Sequence, residues 1–375
     1  DGVDGEGSLE IGRDVVAGFV GVVAGDDAIG LDRRHRVARM GNGDGDTMHR
    51  RREGGLRIAV GEAALIDEIC ADGLVQRAEV VTGLMHRGAE KLFESRDYRQ
   101  VLSLANRHDW LSSFDGEVSA ARVIEDALGI VVPARAQTLR TVVSEVCRIN
   151  HHLYWLGETL QSEAMRAARA DLTAALDLAT GSRMHLMITR IGGLTRDIER
   201  RWVDELPLAA CEAALPMEVP GAGVATLTRE QAIDYATSGV VARASGWSRD
   251  ARDYIEPVVR SDGDAHARFA CLAAEIRTSI EYLRQVDLPE GPIDTKLPRT
   301  IRLPEGEYYG ASETASGING WWIVSRGDVV AWRMKMRTAS FNNAAALGAC
   351  LPGTRVEDLP LALMSFLLVA GDIDK

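Results

Sequence analysis

The sequence predicts a mainly helical α+β protein with small sheets near both ends of the chain. Three observations support this class. Apolar residues recur at three- and four-residue steps over long stretches between residues 134 and 285, hairpin signals flank these stretches, and the 375 residues have an ordinary apolar fraction of 46%. Steps of three and four place side chains on one helix face, whereas alternation places them on one strand face. A chain of this length can bury a large core.

The N-terminal part divides into two predicted regions. Residues 1–55 are rich in Gly, Asp and Arg without sustained periodicity, so we expect a divergent, flexible segment ahead of one domain over residues 56–375. GNGDGD in this segment lacks the spaced acids and final Glu of an EF-hand loop, and calcium binding is not predicted.

The first elements of the domain are a hairpin and two helices. ALIDEICADGLVQRAEVV predicts two strands that turn at Asp72 and Gly73. Helices are expected at about residues 87–95 and 115–128.

Three further helices follow from periodicity. Pro133 is typical of a first helical turn, and Gly157 is expected to end the helix that contains QTLRTVVSEVCRINHHLYWLG. Its predicted buried stripe consists of Leu139, Val142, Val146, Ile149, Leu153 and Leu156. Other helices are expected at 163–179 and 264–285, the latter with an inner face of Phe269, Leu272, Ile276, Ile280 and Leu283.

The C-terminal part changes period. WWIVSRGDVVAWRMKMR predicts a hairpin around Arg326, Gly327 and Asp328. In its second strand Trp332, Met334 and Met336 should face inward, and Arg333, Lys335 and Arg337 should face solvent or an acidic partner. LALMSFLLVA, after Asp358 and Pro360, is apolar all round and predicts a last, buried helix.

Composition excludes several functional classes. The net charge of −12 gives no indication of nucleic-acid binding. The five cysteines are scattered without a CxxC or CxxH pair, so this chain is not expected to hold a zinc or iron–sulfur site. Such scattered cysteines are instead expected to be reduced thiols in a cytoplasm. No signal peptide is predicted, and the longest apolar runs fall short of the roughly 20 residues that span a bilayer.

Two segments carry candidate site residues. GSRMHLMITRIGGLTRDI contains Arg183, His185 and Arg190, and NRHDW places Arg107, His108, Asp109 and Trp110 at an expected helix boundary. Arginines and a histidine can tune a redox centre, and an aromatic ring can stack on a planar ligand; ordinary salt bridges and packing are the alternative.

The adjacent pair His151–His152 is not a metal site by itself, because neighbouring positions point to different helix faces. One packed and one exposed histidine are expected.

Several ordered segments resemble one family. They are GLMHRGAEKLFESRDYRQVLSLANRHDWLSS, VPARAQTLRTVVSEVCRINHHLYWLG, GSRMHLMITRIGGLTRDI, EGEYYGASETASGINGWWIVSRG, WRMKMRTASFNN and VEDLPLALMSFLLVAGDIDK. Together they resemble the D subunit (49-kDa type) of proton-pumping NADH:quinone oxidoreductase, respiratory complex I, over roughly residues 64–375. That family is kin to the large subunits of nickel–iron hydrogenases, which implies a hydrogenase-large-subunit-like fold. The positions of the two hydrogenase CxxC motifs read NRHDWLSS and LLVAGDIDK, without cysteine, so hydrogenase activity is excluded.

The resemblance implies a subunit that binds no cofactor of its own. A smaller partner would carry the terminal iron–sulfur cluster, other complex I subunits would hold FMN and NAD, and the quinone site would be shared. The complex would lie on the cytoplasmic side of the cell membrane, with this chain peripheral through its partners. Activity would exist only within the complex.

The same resemblance assigns roles to residues. Arg107 and His185 match family residues near the terminal cluster, and Arg190 is expected beside them. Positive charge and N–H donors stabilise a reduced cluster and raise its potential. Trp110, Asp109 and His86 are expected to line the quinone space.

The sequence departs from the family at the quinone site. Trp110 stands where the family has a tyrosine, and an indole N–H donates a hydrogen bond but does not readily release a proton. The family loop GPxHPxTHG should end at about residues 61–63, where the chain reads RIAVGEAALI, so both loop histidines are missing. The aspartate that partners the second of them falls near Ser162 and Glu163.

Three functional hypotheses remain open at this stage. The first is a complex I D-type subunit that transfers electrons from NADH to quinone. The second is a non-catalytic paralogue that retains assembly, and the third is a subunit of a related membrane-bound complex with another electron donor. The electron donor binds on other subunits, so the sequence of this chain does not define it.

Overall fold

A computed structural model describes residues 73–375 in full, and before them the backbone of three strands at residues 20–23, 55–60 and 64–71. The rest of the segment 1–55, for which flexibility is expected, lies outside the described residues. The α+β class is confirmed, because helices pack with three antiparallel sheets in this part of the chain.

The strands form one sheet at each end of the sequence and a short ribbon between them. The first sheet contains β1 (Val20–Val23), β2 (Gly55–Val60), β3 (Ala64–Ala71) and β4 (Leu74–Val81) in that order, the ribbon contains β5 (Thr189–Arg190) and β6 (Gly193–Leu194), and the last sheet contains β7 (Gly306–Glu313), β8 (Ile318–Ser325) and β9 (Arg333–Arg337). The hairpin predicted at Asp72–Gly73 is present as the β3–β4 pair.

The helices number thirteen within residues 73–375. They are α1 (Ala89–Phe93), α2 (Tyr98–Ala105), α3 (Ser113–Leu128), α4 (Ala134–Leu160), α5 (Glu163–Thr180), α6 (Arg200–Asp204), α7 (Leu208–Ala213), α8 (Arg229–Asp234), α9 (Gly239–Ala244), α10 (Ala265–Gln285), α11 (Ala339–Cys350), α12 (Leu359–Ser365) and α13 (Ala370–Ile373). A single 3₁₀ turn, Val356–Asp358, precedes α12.

Helix α4 packs between α5 and α10 and forms the main core with them. All six residues of its predicted stripe are fully buried, as are the five predicted on the inner face of α10. Burial of each Leu, Ile or Val side chain contributes about 1.5 to 3 kcal/mol. These two helices therefore fix the positions of every other side chain that they carry.

The predicted end of α4 at Gly157 is wrong. The helix continues to Leu160 and ends at Gln161, whose φ of 52° is left-handed. A Cβ at Gly157 would lie 3.2 Å from Met165 Cβ, so the missing side chain lets α5 approach α4. Glycine here serves helix contact rather than termination.

Two predictions near the C-terminus are also corrected. Strand β9 begins after Trp332, which is 58% exposed and stacks against the Arg326 guanidinium, so only Met334 and Met336 face the core. The expected last helix is interrupted because Leu367 adopts a φ of 56°, and this break separates α12 from α13.

The basic face predicted on β9 is only partly solvated. Arg333 pairs with Glu90 and Glu94 of α1, whereas Lys335 is exposed. Arg337 donates to backbone carbonyls of Ile318 and Ala236.

The residues after α12 close the fold through two carboxylates. Asp374 accepts the backbone N–H groups of Gly83 (2.7 Å) and Met85 (2.8 Å). Asp372 accepts from Ser340 N and lies 2.7 Å from His108 Nδ1. The C-terminal turn thus fastens the segment before α1 to the loop that follows α2.

Candidate functional site

The site is built around the turn that joins α2 to α3, residues 106–112, which is the helix boundary predicted for NRHDW. Asp109 Oδ1 accepts the backbone N–H groups of Leu111 and Ser112, both at 3.1 Å. An aspartate that binds N–H groups two and three residues ahead stabilises a turn and starts a helix. This turn exposes Arg107 and leaves Trp110 half-buried.

Glu117, fully buried on α3, joins this turn to the segment that contains His185. Its carboxylate accepts the Asn106 side-chain amide and the backbone N–H groups of Met187 (2.8 Å) and Thr189 (3.1 Å). Burial raises the pKa of Glu117 to about 7, although these hydrogen bonds oppose the shift. One side chain therefore holds two segments that are about eighty residues apart in sequence.

Arg107 and His185 are neighbours as a result, as the sequence analysis expected. Burial and the charge of Arg107 lower the pKa of His185, while a hydrogen bond with the Asn106 backbone opposes this change. His185 Nδ1 is buried and has no hydrogen-bond partner among the described residues. The imidazole is therefore neutral at pH 7, with one ring nitrogen unused.

A small cavity of about 40 Å³ lies beside these residues. It is lined by Trp110, Leu111 and Ser113 from the turn, Cys147 and Asn150 from α4, Arg169 and Leu176 from α5, and Arg183, Met184 and Leu186 from the segment after α5. The Trp110 ring meets Tyr154 edge-on, with 6.0 Å between the ring centroids. Pockets for drug-sized ligands have volumes of about 300 to 1,000 Å³. This cavity alone is therefore too small to enclose a ligand of that size.

Asp109 does not line the cavity, contrary to the expectation that it faces the ligand. Its side chain is buried, and its second oxygen accepts from Ser316 Oγ at 2.6 Å. Burial, and next the charge of Asp372, raise the pKa of Asp109 to about 7. The carboxyl lies behind Trp110 and is partly protonated near neutral pH.

Two other predicted site residues lie away from this cavity. His86 is exposed in the turn before α1 and is not among the lining residues. Arg190 is exposed at the end of β5 and pairs with Asp294. Its backbone carbonyl instead accepts from Arg140 at 2.9 Å, which holds the turn at Gly192–Gly193.

The His151–His152 prediction is wrong, because both rings are fully buried. Their Nδ1 atoms are 3.0 Å apart, and His152 Nε2 lies 3.1 Å from Glu275 Oε2. Burial is the main cause that lowers the pKa of both histidines.

Glu275 belongs to a buried charge cluster, which comprises Glu145, Arg148, Arg243, Asp250, Arg252, Glu275 and Glu313. None of the seven side chains is more than 3% exposed. Four carboxylates and three guanidinium groups leave one net negative charge. Burial alone would raise the pKa of Glu275, but Arg243 and His152 hold it well below its usual value.

Sequence reasoning did not find Glu117, Ser316 or this cluster. The available signal for Glu117 was a carboxylate among apolar positions of the helix SFDGEVSAARVIEDAL. Ser316 carries no such signal, since its contacts come from parts of the chain about 165 and 207 residues away. Within residues 73–375 no group of three or more His, Cys, Asp or Glu side chains could hold a metal ion.

Comparison with solved structures identifies the class of protein first. A chain of the membrane-bound sulfane sulfur reductase, an archaeal respiratory membrane complex, superposes with a TM-score of 0.76 and 26% identity, covering 84% of this chain and 95% of that one. The fold is therefore one used by subunits of respiratory membrane complexes.

Sequence relatives define the family. The model for the 49-kDa subunit of respiratory-chain NADH dehydrogenase matches residues 221–375. The second of the NADH-quinone oxidoreductase D subunits of Salinispora tropica is 42% identical over 80% of this chain and 86% of that protein, and the D-type relative from Carboxydothermus hydrogenoformans is 33% identical over 79% and 90%. The chain belongs to the family of NADH-quinone oxidoreductase D subunits. No helix in the described part of the chain is long and apolar enough to cross a membrane.

Proposed function

We propose that this chain works as a D-type subunit of NADH:quinone oxidoreductase. In the complex it and a smaller, cluster-bearing subunit enclose a quinone headgroup, and electrons reach the quinone from NADH through FMN and clusters on partner subunits. The chain binds none of these cofactors itself and reaches the cytoplasmic face of the membrane through its partners.

The observation that carries this proposal is the placement of Arg107 and His185 together beside an incomplete cavity walled by Trp110. Met184, which lines the cavity, and Met187 in the same segment are 45% and 39% exposed. Exposed apolar side chains at the edge of a cavity are typical of a surface that a partner covers.

The arrangement can tune a cluster held on the other side of the interface. Arg107 contributes a fixed positive charge, and the unused Nδ1 of His185 can take up a proton when the cluster gains an electron. The edge of Trp110 offers an apolar face and an N–H donor to a planar ring.

The decisive experiment is His185→Met in the intact complex, with the exposed His266 changed to Met as the control. We expect a lower midpoint potential of the terminal cluster, because the ring that takes up a proton when the cluster is reduced is lost. Its pH dependence, at most about 59 mV per pH unit for one proton per electron, should weaken. An electron paramagnetic resonance titration that gives the same potential and slope for both variants would remove His185 from the mechanism.

Trp110→Tyr tests the cavity wall. The tyrosine restores the hydroxyl of the family, so quinone reduction should be preserved or faster, whereas Trp332→Tyr at the exposed hairpin should have no effect. Loss of quinone reduction in Trp110→Tyr with normal assembly would contradict this role.

A second candidate, a subunit of a related complex with another electron donor or acceptor, is favoured by the likeness to the sulfane sulfur reductase complex and by Trp110 in place of tyrosine. A non-catalytic paralogue, which retains assembly but not quinone chemistry, is a separate alternative. Purified complex that oxidises NADH with quinone as acceptor would exclude both.

A further inference from the structure

A line of hydrogen-bonded side chains runs from Asp109 into the buried charge cluster. Ser316 Oγ lies 2.6 Å from Asp109 Oδ2 and 3.1 Å from His151 Nε2. His151 Nδ1 is 3.0 Å from His152 Nδ1, and His152 Nε2 is 3.1 Å from Glu275 Oε2. Each step is within hydrogen-bond distance, so the line has no gap.

The Trp155 indole fixes the proton positions on the two histidines. Its Nε1–H lies 3.2 Å from His151 Nε2, and an indole nitrogen can only donate. His151 therefore carries its proton on Nδ1 and donates to His152 Nδ1. His152 then carries its proton on Nε2 and donates to Glu275. Both neutral rings point their N–H groups in one direction, towards the cluster.

The hydroxyl of Ser316 has two possible acceptors, Asp109 Oδ2 and His151 Nε2, and the protonation state of Asp109 determines which of them accepts. When Asp109 is ionised, Ser316 donates to its Oδ2. When Asp109 is protonated, its O–H can donate to Ser316 Oγ, and the Ser316 proton turns to His151 Nε2 in place of the Trp155 N–H. Protonation of Asp109 thus completes a chain of donors that points from Asp109 to Glu275.

We propose that Ser316, His151 and His152 form a proton relay between Asp109 and the buried charge cluster. This inference rests on the proposed function, in which the reduction of a quinone by two electrons from the partner's cluster consumes two protons. In this proposal Asp109 exchanges its proton through the core of this chain and not through the cavity.

The proton steps balance without any electron transfer. Towards Glu275, the Asp109 proton passes to Ser316 Oγ as the Ser316 proton passes to His151 Nε2; His151 Nδ1–H passes to His152 Nδ1, and His152 Nε2–H passes to Glu275 Oε2. One proton has moved, and each imidazole has become its other tautomer. The reverse sequence returns a proton to Asp109 and restores the hydrogen bond from Trp155.

The surroundings favour delivery to Asp109. The pKa of Asp109 is raised by burial and by Asp372, while His108 opposes this shift. Arg243 holds the pKa of Glu275 well below its usual value, whereas burial, and next the charges of His152 and Arg148, lower the pKa of His151. A proton therefore rests more readily on Asp109 than on Glu275 or on His151.

The cluster also approaches solvent. The hydroxyl of Tyr254, a residue that is 36% exposed, donates to Glu145 at 2.9 Å. Tyr254 is therefore a point at which the cluster meets the protein surface.

The test uses the whole complex isolated from membranes with Ser316→Ala, which removes one hydroxyl from the relay. Ser119→Ala is the matched control, because Ser119 is a buried serine that accepts from Trp321 outside the relay. We expect the kcat for quinone reduction to fall by roughly 100-fold in Ser316→Ala, within the range of general acid–base catalysis, with KM nearly unchanged. The solvent deuterium isotope effect on kcat should increase. His151→Asn keeps a hydrogen-bonding group, but an amide cannot accept a proton at one atom and release one at another. This variant should behave in the same way, and it replaces Ser316→Ala in the test if Ser316→Ala does not assemble.

A second readout does not depend on turnover. Infrared titration of the complex should show imidazole bands that change together with the carboxyl band of Asp109, which is assigned by its loss in Asp109→Asn. This coupling should disappear in Ser316→Ala and persist in Ser119→Ala. Coupling that persists in Ser316→Ala, or kcat and isotope effect equal to the control, would overturn the relay. A wild-type complex that does not reduce quinone would instead overturn the proposed function, and the infrared result would still decide on the relay.

Discussion

Asp109→Asn should change how the stability of this protein depends on pH. The asparagine keeps an oxygen for the N–H groups of Leu111 and Ser112, and its amide can donate to Ser316 as a protonated carboxyl would. The substitution is therefore close to isosteric, and it removes only the ionisation.

The magnitude follows from the raised pKa of Asp109, which is about 7 in the folded protein against 3.8 for the ordinary group. Because the folded state holds this proton more tightly than the unfolded state, the wild-type free energy of unfolding falls as the pH rises from about 4 to about 7. At about 1.36 kcal/mol per pKa unit, the loss is up to about 4 kcal/mol. The variant lacks this loss, so it should gain stability relative to the wild type as the pH rises.

Urea unfolding of the purified chain at pH 5 and pH 8 measures this difference. The exposed Asp171 changed to Asn is the control, and its effect should be similar at both pH values. If the stability difference between Asp109→Asn and the wild type were the same at pH 5 and pH 8, Asp109 would not be a buried, protonated carboxyl, and the explanation of the site would fail.

Two further changes test the supports of the site. Gly157→Ala should destabilise the chain by about 1 to 3 kcal/mol in urea unfolding, since the new Cβ would press on Met165 and separate α4 from α5. Gly348→Ala is the matched control, because Gly348 also lies inside a helix, α11, and its new Cβ would make only an ordinary contact, 3.5 Å from Val80. Arg140→Met should lower the free energy of unfolding by about 3 to 5 kcal/mol, because it leaves Glu125 buried without its partner. Hydrogen exchange should then show faster opening of the turn at Gly192, whose backbone N–H donates to Glu125. Unchanged exchange at this turn would contradict the role of the ion pair.

The helices of the core could be predicted because their pattern is local. The stripe on α4 and the inner face of α10 are repeated at helical spacing, and burial follows from that spacing alone. The hairpin at Asp72–Gly73 likewise has a signal within a few residues. In contrast, Gly157 was predicted to end its helix. The residue that requires a glycine at this position, Met165, lies on another helix, and the local sequence does not show this contact.

The site was only partly predictable for the same reason. Arg107, His185 and Trp110 were singled out from two sequence segments and given roles by the family resemblance, and the fold brings Arg107 and His185 together beside the cavity that Trp110 lines. Asp109 points inward because it accepts a hydrogen bond from Ser316. Ser316 has no periodic or motif signal, so the orientation of Asp109 could not be predicted from the sequence. Arg190 was predicted to lie beside His185 because the two are close in sequence. Its guanidinium instead pairs with the carboxylate of Asp294, on a loop distant in sequence.

The closure by Asp372 and Asp374 has a consequence for synthesis on the ribosome. The amides of Gly83 and Met85 and the ring of His108 are made early, but their acceptors are made 264 to 291 residues later. During translation the loop after α2 therefore lacks Asp372, and the segment before α1 lacks Asp374, until these residues have left the exit tunnel. A nascent chain that stops short of this point therefore lacks the contacts that fasten the segment before α1 to the loop after α2.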